Sequence, residues 1–195
     1  FGEVFLSEGG RTDYRLQLRW WRSHKPISGG AVYDWGAHFV DWILNLMPEP
    51  LDSVSGFFHK RVWFDVTNED QCQVIMRFRN GKYAEFQESS IAAIPKPRWR
   101  ILGTRGGIVV DNRDYVSVKT YAEGQEEERR IPIPESQWNA YYRNVADHLL
   151  TGSPLSVTPE SARRVVVVLA LSEKASETGT PQQVPFEKEA KEAER

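Results

Sequence analysis

Three side chains that can transfer protons are spaced four and three residues apart in this chain: Asp34, His38 and Asp41. On an α-helix this spacing places them on one face, with neighbouring side chains about 5–6 Å apart. A carboxylate beside an imidazole suits proton transfer at neutral pH, because the unperturbed pKa of a histidine side chain is about 6.5. The spacing therefore predicts an acid–base site on one helix.

This polar stripe, which Asn45 extends, lies between two mainly apolar stripes of the same predicted helix. The apolar stripes consist of Trp35, Phe39, Trp42 and Leu46, and of Tyr33, Ala37, Val40, Leu44 and Met47. A helix that is apolar nearly all round is buried. We therefore expect the polar stripe to line a cleft or to meet hydrogen-bonding partners, because unpaired buried charge is costly. A structural Asp34–His38 pair in a wet groove explains the stripe equally well.

The composition indicates one domain, or one domain with an appendage. The chain has 195 residues, of which 40% are hydrophobic, and 25 basic residues stand against 27 acidic ones. This balance argues against nucleic acid as a partner, and no apolar run is long enough to span a membrane. The lone Cys72 excludes an internal disulfide framework and suits the cytosol, so we expect a cytoplasmic protein. Because the chain does not begin with Met, we expect it to be a fragment of a longer protein.

Helix start and stop signals predict three helices. They run from about Gly30 to Met47 with Ser28 as N-cap, from a Ser136 cap to about Gly152, and from a Thr158 cap to about Gly179. Residues 1–185 are expected to form one domain, and the charged residues 186–195 a solvated or disordered tail.

Alternating apolar and polar residues predict strands at residues 1–7, 51–63, 70–79, 82–89, 98–103, 107–111 and 115–121. Gly9-Gly10 is expected to end the first strand, and Asn80-Gly81 to form a two-residue hairpin turn. Short connections favour antiparallel pairing. Strands grouped apart from helices predict an α+β fold, with an open sheet covered on one face by helices. Ile75 and Tyr121 lie on otherwise polar strand faces, which suggests that another subunit covers the open face.

The block GGAVYDWGAHFVDWIL at residues 29–44 resembles the GG-x-x-x-D-x-G-x-H-x-x-D signature of Gfo/Idh/MocA-type oxidoreductases. These are NAD(P)-dependent dehydrogenases that act mostly on sugars, cyclitols and related polyols. Residues 101–109, 138–155 and 161–181 are similar to further segments of that family. The resemblance covers most of residues 1–185.

The resemblance implies a protein of two parts. In that family a Rossmann domain holds NAD or NADP, and a second domain with an open, largely antiparallel sheet completes the substrate pocket and forms a homodimer or homotetramer. This chain resembles the second domain only, because no G-x-G-x-x-G fingerprint lies between a strand and a helix. Lys25-Pro26 lacks the glutamate that precedes the family's catalytic lysine. The chain alone is therefore expected to be inactive.

The resemblance also assigns roles by position. His38 matches the residue that takes the proton from the substrate hydroxyl, and Asp34 matches the partner that binds substrate and tunes the histidine. Asp41 is expected to anchor the helix or the imidazole and to contribute to substrate binding. Gly29 and Gly30 would let the backbone approach a cofactor closely, although an ordinary loop-to-helix turn explains them as well.

Aromatic and basic residues near these segments are further candidates. We assign Trp21, Arg22 and Arg98 to substrate binding, where rings stack on a sugar and guanidinium groups grip an acidic substituent. Core packing is the alternative for Trp20, Trp21 and Trp99, because tryptophans bury large areas. Metal ligation by the Asp/His stripe and a glycosidase carboxylate pair are weaker alternatives, since no second histidine or opposed carboxylate has suitable spacing.

Two functions remain open from the sequence. The first is the substrate-binding and oligomerisation domain of an NAD(P)-dependent sugar or polyol dehydrogenase. The second is a stand-alone module that binds a ligand or dimerises without catalysis. They differ in whether a dinucleotide-binding domain precedes Phe1.

Overall fold

The computed structural model describes residues 4–12, 20–122, 124–185 and 187, and its strands form a single nine-stranded sheet. The helices are α1 (Lys25–Ser28), α2 (Ala31–Leu46), α3 (Ala140–Thr151) and α4 (Pro159–Thr178), and a 3₁₀ turn spans Trp21–Ser23. The strands are β1 (Val4–Thr12), β2 (Leu51–His59), β3 (Gln71–Phe78), β4 (Tyr83–Ser89), β5 (Trp99–Gly103), β6 (Gly106–Val110), β7 (Tyr115–Ala122), β8 (Gln125–Pro132) and β9 (Gln182–Gln183).

The strand order is β8-β7-β6-β5-β1-β4-β3-β2-β9. Neighbouring strands are antiparallel except for β1 and β4, which pair in parallel. The parallel pair needs a long crossover, and α2 lies on that path between β1 and β2. The predicted α+β fold with an open, largely antiparallel sheet is confirmed.

The hydrophobic core lies between one face of the sheet and helices α2 and α4. α2 contributes Phe39, Val40 and Ile43, and α4 contributes Val168 and Leu169, all of which are buried. The facing strand residues are Leu51, Val54, Cys72, Val74, Met76, Phe78, Ala84 and Phe86. They alternate along β3 and β4 as the sequence pattern predicts, because successive side chains of a strand point to opposite faces. In β2 a register shift between Leu51 and Ser53 interrupts the alternation.

One contact brings a helix unusually close to the sheet. A Cβ atom placed on Gly56 of β2 would lie 1.9 Å from the backbone oxygen of Ser172 in α4. The backbones of β2 and α4 therefore approach each other at a distance that no larger residue permits.

Two strand boundaries differ from the sequence prediction. β1 continues through Gly9 and Gly10 instead of ending there, because both residues pair with β4. β2 ends at His59 instead of residue 63, because the buried carboxylate of Asp70 binds the chain that follows. Its Oδ2 atom accepts hydrogen bonds from the backbone N–H groups of Arg61 and Val62 at 2.5 and 2.6 Å. These N–H groups are thereby satisfied without a neighbouring strand.

Two strands were not predicted. β8 pairs along its length with β7, yet all of its residues are exposed and six of its eight side chains are charged or proline. Its sequence therefore lacks the apolar alternation on which the prediction depended. β9 has only two residues, Gln182 and Gln183.

The predicted N-cap of α4 is confirmed, because Thr158 and Ser161 form a reciprocal capping box. The predicted N-caps of α2 and α3 are wrong. Gly30 is the N-cap of α2, while Ser28 is the last residue of the short helix α1. α3 begins at Ala140 with Asn139 as N-cap, so Ser136 is not its cap. The predicted tail at residues 186–195 lies outside the described residues apart from Glu187.

The face of the sheet opposite α2 carries a shallow cavity of about 460 Å³. Its lining includes Arg100, Leu102, Val109, Lys119 and Tyr121. Because these residues alternate with those that face α2, the cavity lies behind the sheet and not beside the helix. In the part of the chain that the structure describes, no helix is long and apolar enough to cross a membrane.

Candidate functional site

His38 lies midway along α2 on the side that the core does not cover, and its side chain is exposed. The rings of Trp35 and Trp42 flank the imidazole, with ring centroids 5.8 and 6.1 Å from that of His38. These residues are three positions before and four after His38, so the helix itself sets the arrangement. The imidazole is thus held between two aromatic rings while it remains open to a ligand.

This exposure corrects the prediction that α2 is buried nearly all round. Trp42 and Leu46 are 38% and 52% exposed, although both belong to a stripe that was expected to be buried. The core between α2, α4 and the sheet covers the side of α2 that carries Phe39, Val40 and Ile43, and it leaves the opposite side open. The polar stripe therefore lines an open surface.

Asp34 is held by Arg22 and not by His38. Nη1 of Arg22 lies 2.5 Å from Oδ1 of Asp34, and within the described part of the chain no hydrogen bond joins Asp34 to His38. The guanidinium carbon of Arg22 also lies 4.9 and 5.5 Å from the ring centroids of Trp21 and Trp20. Arg22 therefore links the carboxylate of α2 to two half-exposed indole rings.

Asp41 is the carboxylate that interacts electrostatically with His38. Burial raises the pKa of Asp41 above its usual range, while the Asn45 amide and the charge of His38 act in the opposite direction. Nδ2 of Asn45 donates hydrogen bonds to the Asp41 carboxylate at 3.2 Å and to its backbone oxygen at 2.9 Å. Asp41 is thus bonded within its own helix, and its predicted role as an anchor of the helix or the imidazole stays a prediction.

Arg98 and Trp99 approach α2 from the start of β5. The guanidinium carbon of Arg98 lies 6.0 Å from the ring centroid of Phe39. Trp99 packs against Phe39 and Trp42 at centroid distances of 5.4 and 6.0 Å. Trp99 is therefore a packing residue, as the alternative interpretation held, whereas Arg98 remains exposed next to the aromatic cluster.

Gly29 and Gly30 form the junction between α1 and α2 with φ angles of 84° and 107°. Both angles lie in the region that favours glycine. The close approach at Gly30 is to Glu69, because a Cβ there would lie 2.9 Å from Oε2 of that residue. The same oxygen accepts a hydrogen bond from the backbone N–H of Ala31 at 3.2 Å.

The beginning of α2 therefore already holds an anion. A glutamate at a helix N-terminus satisfies free N–H groups and complements the helix dipole. A cofactor phosphate at this position would meet the negative charge of Glu69, so the junction does not fit a phosphate. The cofactor-binding role assigned to Gly29 and Gly30 remains a prediction without structural support.

Lys25 connects three segments beneath this junction. Its ammonium lies 2.6 Å from Oε1 of Glu69 and 2.7 Å from Oε1 of Glu173 in α4. Burial would lower the pKa of Lys25, but the hydrogen bonds to Glu173 and Glu69 outweigh it and raise that pKa well above its usual value. Lys25 thus links α1 to Glu69 and to α4 through two ion pairs.

Sequence reasoning missed two features of this region. The flanking of His38 by Trp35 and Trp42 was visible in their spacing, but both rings had been assigned to a buried stripe. The Lys25–Glu69–Glu173 cluster joins residues 44 and more positions apart, and no local pattern indicates such contacts. Among the described residues, no group of three or more His, Cys, Asp or Glu side chains is arranged to hold a metal ion.

Comparison with protein families gives a match that begins with the first strand and ends in β6. The model of the GFO/IDH/MocA C-terminal domain matches residues 1–109, which include the whole of α2. The uncharacterized protein y4oX of Sinorhizobium fredii is 25% identical over 107 residues, which are 52% of this chain and 30% of that protein.

Solved structures share the fold. An NAD-binding protein from Listeria innocua superposes with a TM-score of 0.80 and 24% identity, over 93% of this chain and 55% of that one. A levoglucosan dehydrogenase in complex with NADH and levoglucosan superposes with a TM-score of 0.77 and 18% identity, over 94% of this chain and 60% of that one. The chain therefore spans little more than half the length of these two proteins.

Proposed function

Because the chain belongs to the GFO/IDH/MocA C-terminal domain family, we propose that it is the substrate-binding and oligomerisation domain of an NAD(P)-dependent dehydrogenase of sugars or polyols. The observation that carries this proposal is the exposed imidazole of His38 between Trp35 and Trp42. The levoglucosan in the complex of one structural relative supports a sugar as the class of substrate.

In the proposed reaction His38 accepts the proton of the substrate hydroxyl. An alcohol that becomes a carbonyl loses the proton of its hydroxyl group. It also loses a hydride from the carbon atom that carries this hydroxyl. NAD or NADP would supply the hydride acceptor when it is bound. Because the carboxylate of Glu69 occupies the N-terminus of α2, we expect other residues to bind the phosphates of the cofactor. Asp41 faces His38 closely enough for its charge to favour the imidazolium that forms.

Substrate recognition is assigned to the residues around Asp34. The half-exposed rings of Trp20 and Trp21 offer apolar faces on which the C–H groups of a sugar can pack. The carboxylate of Asp34 and the guanidinium of Arg22 supply an acceptor and several donors for hydroxyl groups. Arg98 lies beyond Phe39 and would contact the far end of a larger ligand or an acidic substituent.

Oligomerisation is assigned to the open face of the sheet. The shallow cavity there is lined mostly by apolar atoms together with Arg100 and Lys119. A second copy of the chain against this face would bury Leu102, Val109 and Tyr121, which stay partly or fully exposed in the single chain. This proposal retains the homodimer or homotetramer that the family resemblance implied.

The test uses the protein as its gene encodes it, including any segment before Phe1. Reduction of NAD and of NADP is followed with a panel of sugars and polyols. His38→Ala should lower kcat/KM by about 10²–10⁴-fold, the usual contribution of a general base, with little change in the thermal midpoint. His59→Ala is the matched control, because that side chain is exposed at the end of β2 away from α2.

An enzyme whose kcat/KM is unchanged by His38→Ala contradicts the assigned role of that residue. A gene that begins at Phe1, together with specific sugar binding and no turnover, favours the alternative of a ligand-binding module without catalysis.

A further inference from the structure

In the ranges of the chain that the structure describes, no hydrogen bond fixes the imidazole of His38. The Asp41 carboxylate accepts a hydrogen bond from the Asn45 amide instead, at 3.2 Å. The orientation of a histidine that transfers protons is commonly set by a hydrogen bond at its second ring nitrogen. Because the side chain of His38 is exposed and exposed side chains change rotamer within nanoseconds, a base at this position needs another means of orientation.

The indole rings of Trp35 and Trp42 supply contacts to this imidazole from two directions along α2. Their centroids lie 5.8 and 6.1 Å from that of His38, with interplanar angles of 58° and 32°. Both distances fall within the range of about 4.5–7 Å over which aromatic rings attract each other. The two indoles therefore restrict the rotation of the imidazole about its side-chain bonds.

Both indoles are themselves held by the buried ring of Phe39. The centroid of Phe39 lies 6.3 Å from that of Trp35 and 5.1 Å from that of Trp42, and the second pair is edge-to-face. Trp42 also contacts Trp99 of β5 at a centroid distance of 6.0 Å. Packing in the core thereby fixes the indoles, and the indoles in turn fix the exposed imidazole of His38.

We propose that Trp35 and Trp42 are positioning residues, which hold the imidazole of His38 in the orientation that accepts the substrate proton. This role deepens the proposed function and rests on it for the reaction. A displacement of about 1 Å can lower a rate by about 10²-fold, so contacts that restrict the imidazole act on the chemical step. Neither indole has to touch the substrate for this effect.

Trp42 is the better of the two for substitution, because it is 38% exposed whereas Trp35 packs partly buried against the core. Trp42→Leu removes the ring, and Trp42→Phe keeps an aromatic ring in its place. Leu46→Ala is the matched control, since it shortens an exposed apolar side chain of the same stripe one turn further along α2. All three variants are made in the protein as its gene encodes it, and thermal unfolding shows whether each is folded.

Trp42→Leu should lower kcat by about 10–100-fold and leave KM nearly unchanged, because the ring does not bind the substrate. Trp42→Phe should retain most of kcat, and Leu46→Ala should leave both constants unchanged. A raised KM with an unchanged kcat would make Trp42 a substrate-binding residue and overturn the proposal.

A double variant tests whether Trp42 acts through His38. Trp42→Leu should have no further effect on kcat in an enzyme that already carries His38→Ala, because a positioning residue acts only through the group that it positions. An equal loss of kcat in both backgrounds would overturn the proposal.

The ring contact itself is tested without turnover, by NMR of the protein with ¹³C-labelled histidine. The chain has four histidines, and the resonance of His38 is the one that His38→Ala removes. The ring current of Trp42 should shift this resonance, so Trp42→Leu should move it and Leu46→Ala should not. A resonance that stays in place in Trp42→Leu overturns the proposal.

Failure of this proposal and failure of the proposed function give different results. An enzyme with unchanged kcat/KM in His38→Ala contradicts the proposed function. An enzyme that loses activity in His38→Ala but keeps its kcat in Trp42→Leu contradicts the positioning role alone.

Discussion

Arg22 holds Asp34 through an ion pair in which Nη1 and Oδ1 lie 2.5 Å apart. The pair joins the segment before α1 to the first turn of α2 and brings Trp20 and Trp21 to the side of the helix that carries His38. The hydrogen-bonding partner of Asp34 is therefore Arg22 and not the imidazole.

Replacing Arg22 should impair substrate binding more than stability. The two side chains are 41% and 31% exposed, and ion pairs of this kind contribute at most about 1 kcal/mol to folding. Arg22→Lys keeps the charge but loses the planar stack on the indole rings. We expect KM to rise about tenfold, a loss of about 1.4 kcal/mol, with kcat little changed.

Steady-state kinetics and thermal unfolding of the same preparations check this expectation, with Arg79→Lys as a control at an exposed site in the turn after β3. An unchanged KM in Arg22→Lys would remove Arg22 from the substrate-binding residues.

Gly56→Ala should destabilise the fold severely. The added Cβ would lie 1.9 Å from the backbone oxygen of Ser172, and the backbones of β2 and α4 cannot part without opening the core. We expect the free energy of unfolding to fall by about 3 kcal/mol or more, at the upper end of overpacking effects. Urea unfolding measures the loss, and Ser55→Ala on the same strand is the control. A loss below about 1 kcal/mol would show that α4 moves away easily.

Asp70 should make stability depend on pH in the acid range. Burial acts to raise the pKa of Asp70, but the backbone N–H groups of Val62 and Arg61 and the Lys60 ammonium outweigh it and lower that pKa. A carboxyl with a lowered folded pKa stabilises the protein above its unfolded pKa of about 3.9, and this contribution is lost as the pH falls.

Asp70→Asn should therefore lower the free energy of unfolding at pH 7 by about 2–3 kcal/mol and flatten its decline below about pH 4. Denaturant unfolding from pH 2.5 to pH 7 measures both effects, with the exposed Asp114→Asn as control. Parallel pH profiles for the wild type and Asp70→Asn would contradict the assignment.

Lys25→Met should destabilise the junction between α1 and α2. The substitution leaves the carboxylates of Glu69 and Glu173 without the ammonium that binds both. We expect a loss of about 2 kcal/mol at pH 7, whereas Lys96→Met, which removes a half-exposed ammonium paired with Glu85, should cost less than about 1 kcal/mol.

The raised pKa of Lys25 also sets the pH range of this effect. The contribution of a cation with a raised folded pKa is complete below its unfolded pKa of about 10.4 and declines as the pH rises beyond it. The difference between wild type and Lys25→Met should therefore be constant from pH 6 to pH 9. A difference that disappears within this range would exclude the cluster as its cause.

Local signals predicted the parts of this fold that local physics determines. The Thr158 cap of α4 depends on a few adjacent residues and is present. Asn80 and Gly81 do lie in the turn between β3 and β4, but the prediction of a two-residue turn is wrong. The loop has three residues, Arg79 to Gly81, and is closed by hydrogen bonds from the N–H of Phe78 to the oxygen of Lys82 and from the N–H of Gly81 to the oxygen of Phe78. β8 was missed because it is paired on one edge and solvated on both sides, so nothing selects apolar residues there.

The site was predictable only where its geometry follows from one helix. His38 and Asp41 interact because three residues on an α-helix bring them together. The pairing of Asp34 with Arg22 and the capping of α2 by Glu69 depend on how distant segments fold back. No spacing in the sequence encodes those contacts, so a carboxylate expected beside the imidazole is instead neutralised by an arginine.

The position of β1 has a consequence for how the chain reaches its native state. β1 is the first strand described, yet it lies at the centre of the sheet and is the only bridge between the set β5–β8 and the set β4, β3, β2 and β9. Its partners follow it by 77 positions in β4 and by 90 to 99 positions in β5, so their pairing requires the closure of long loops. A domain dominated by such distant contacts folds slowly. On the ribosome β1 must wait without partners until β4 and β5 have been synthesised, and each half of the sheet can assemble before the two are joined.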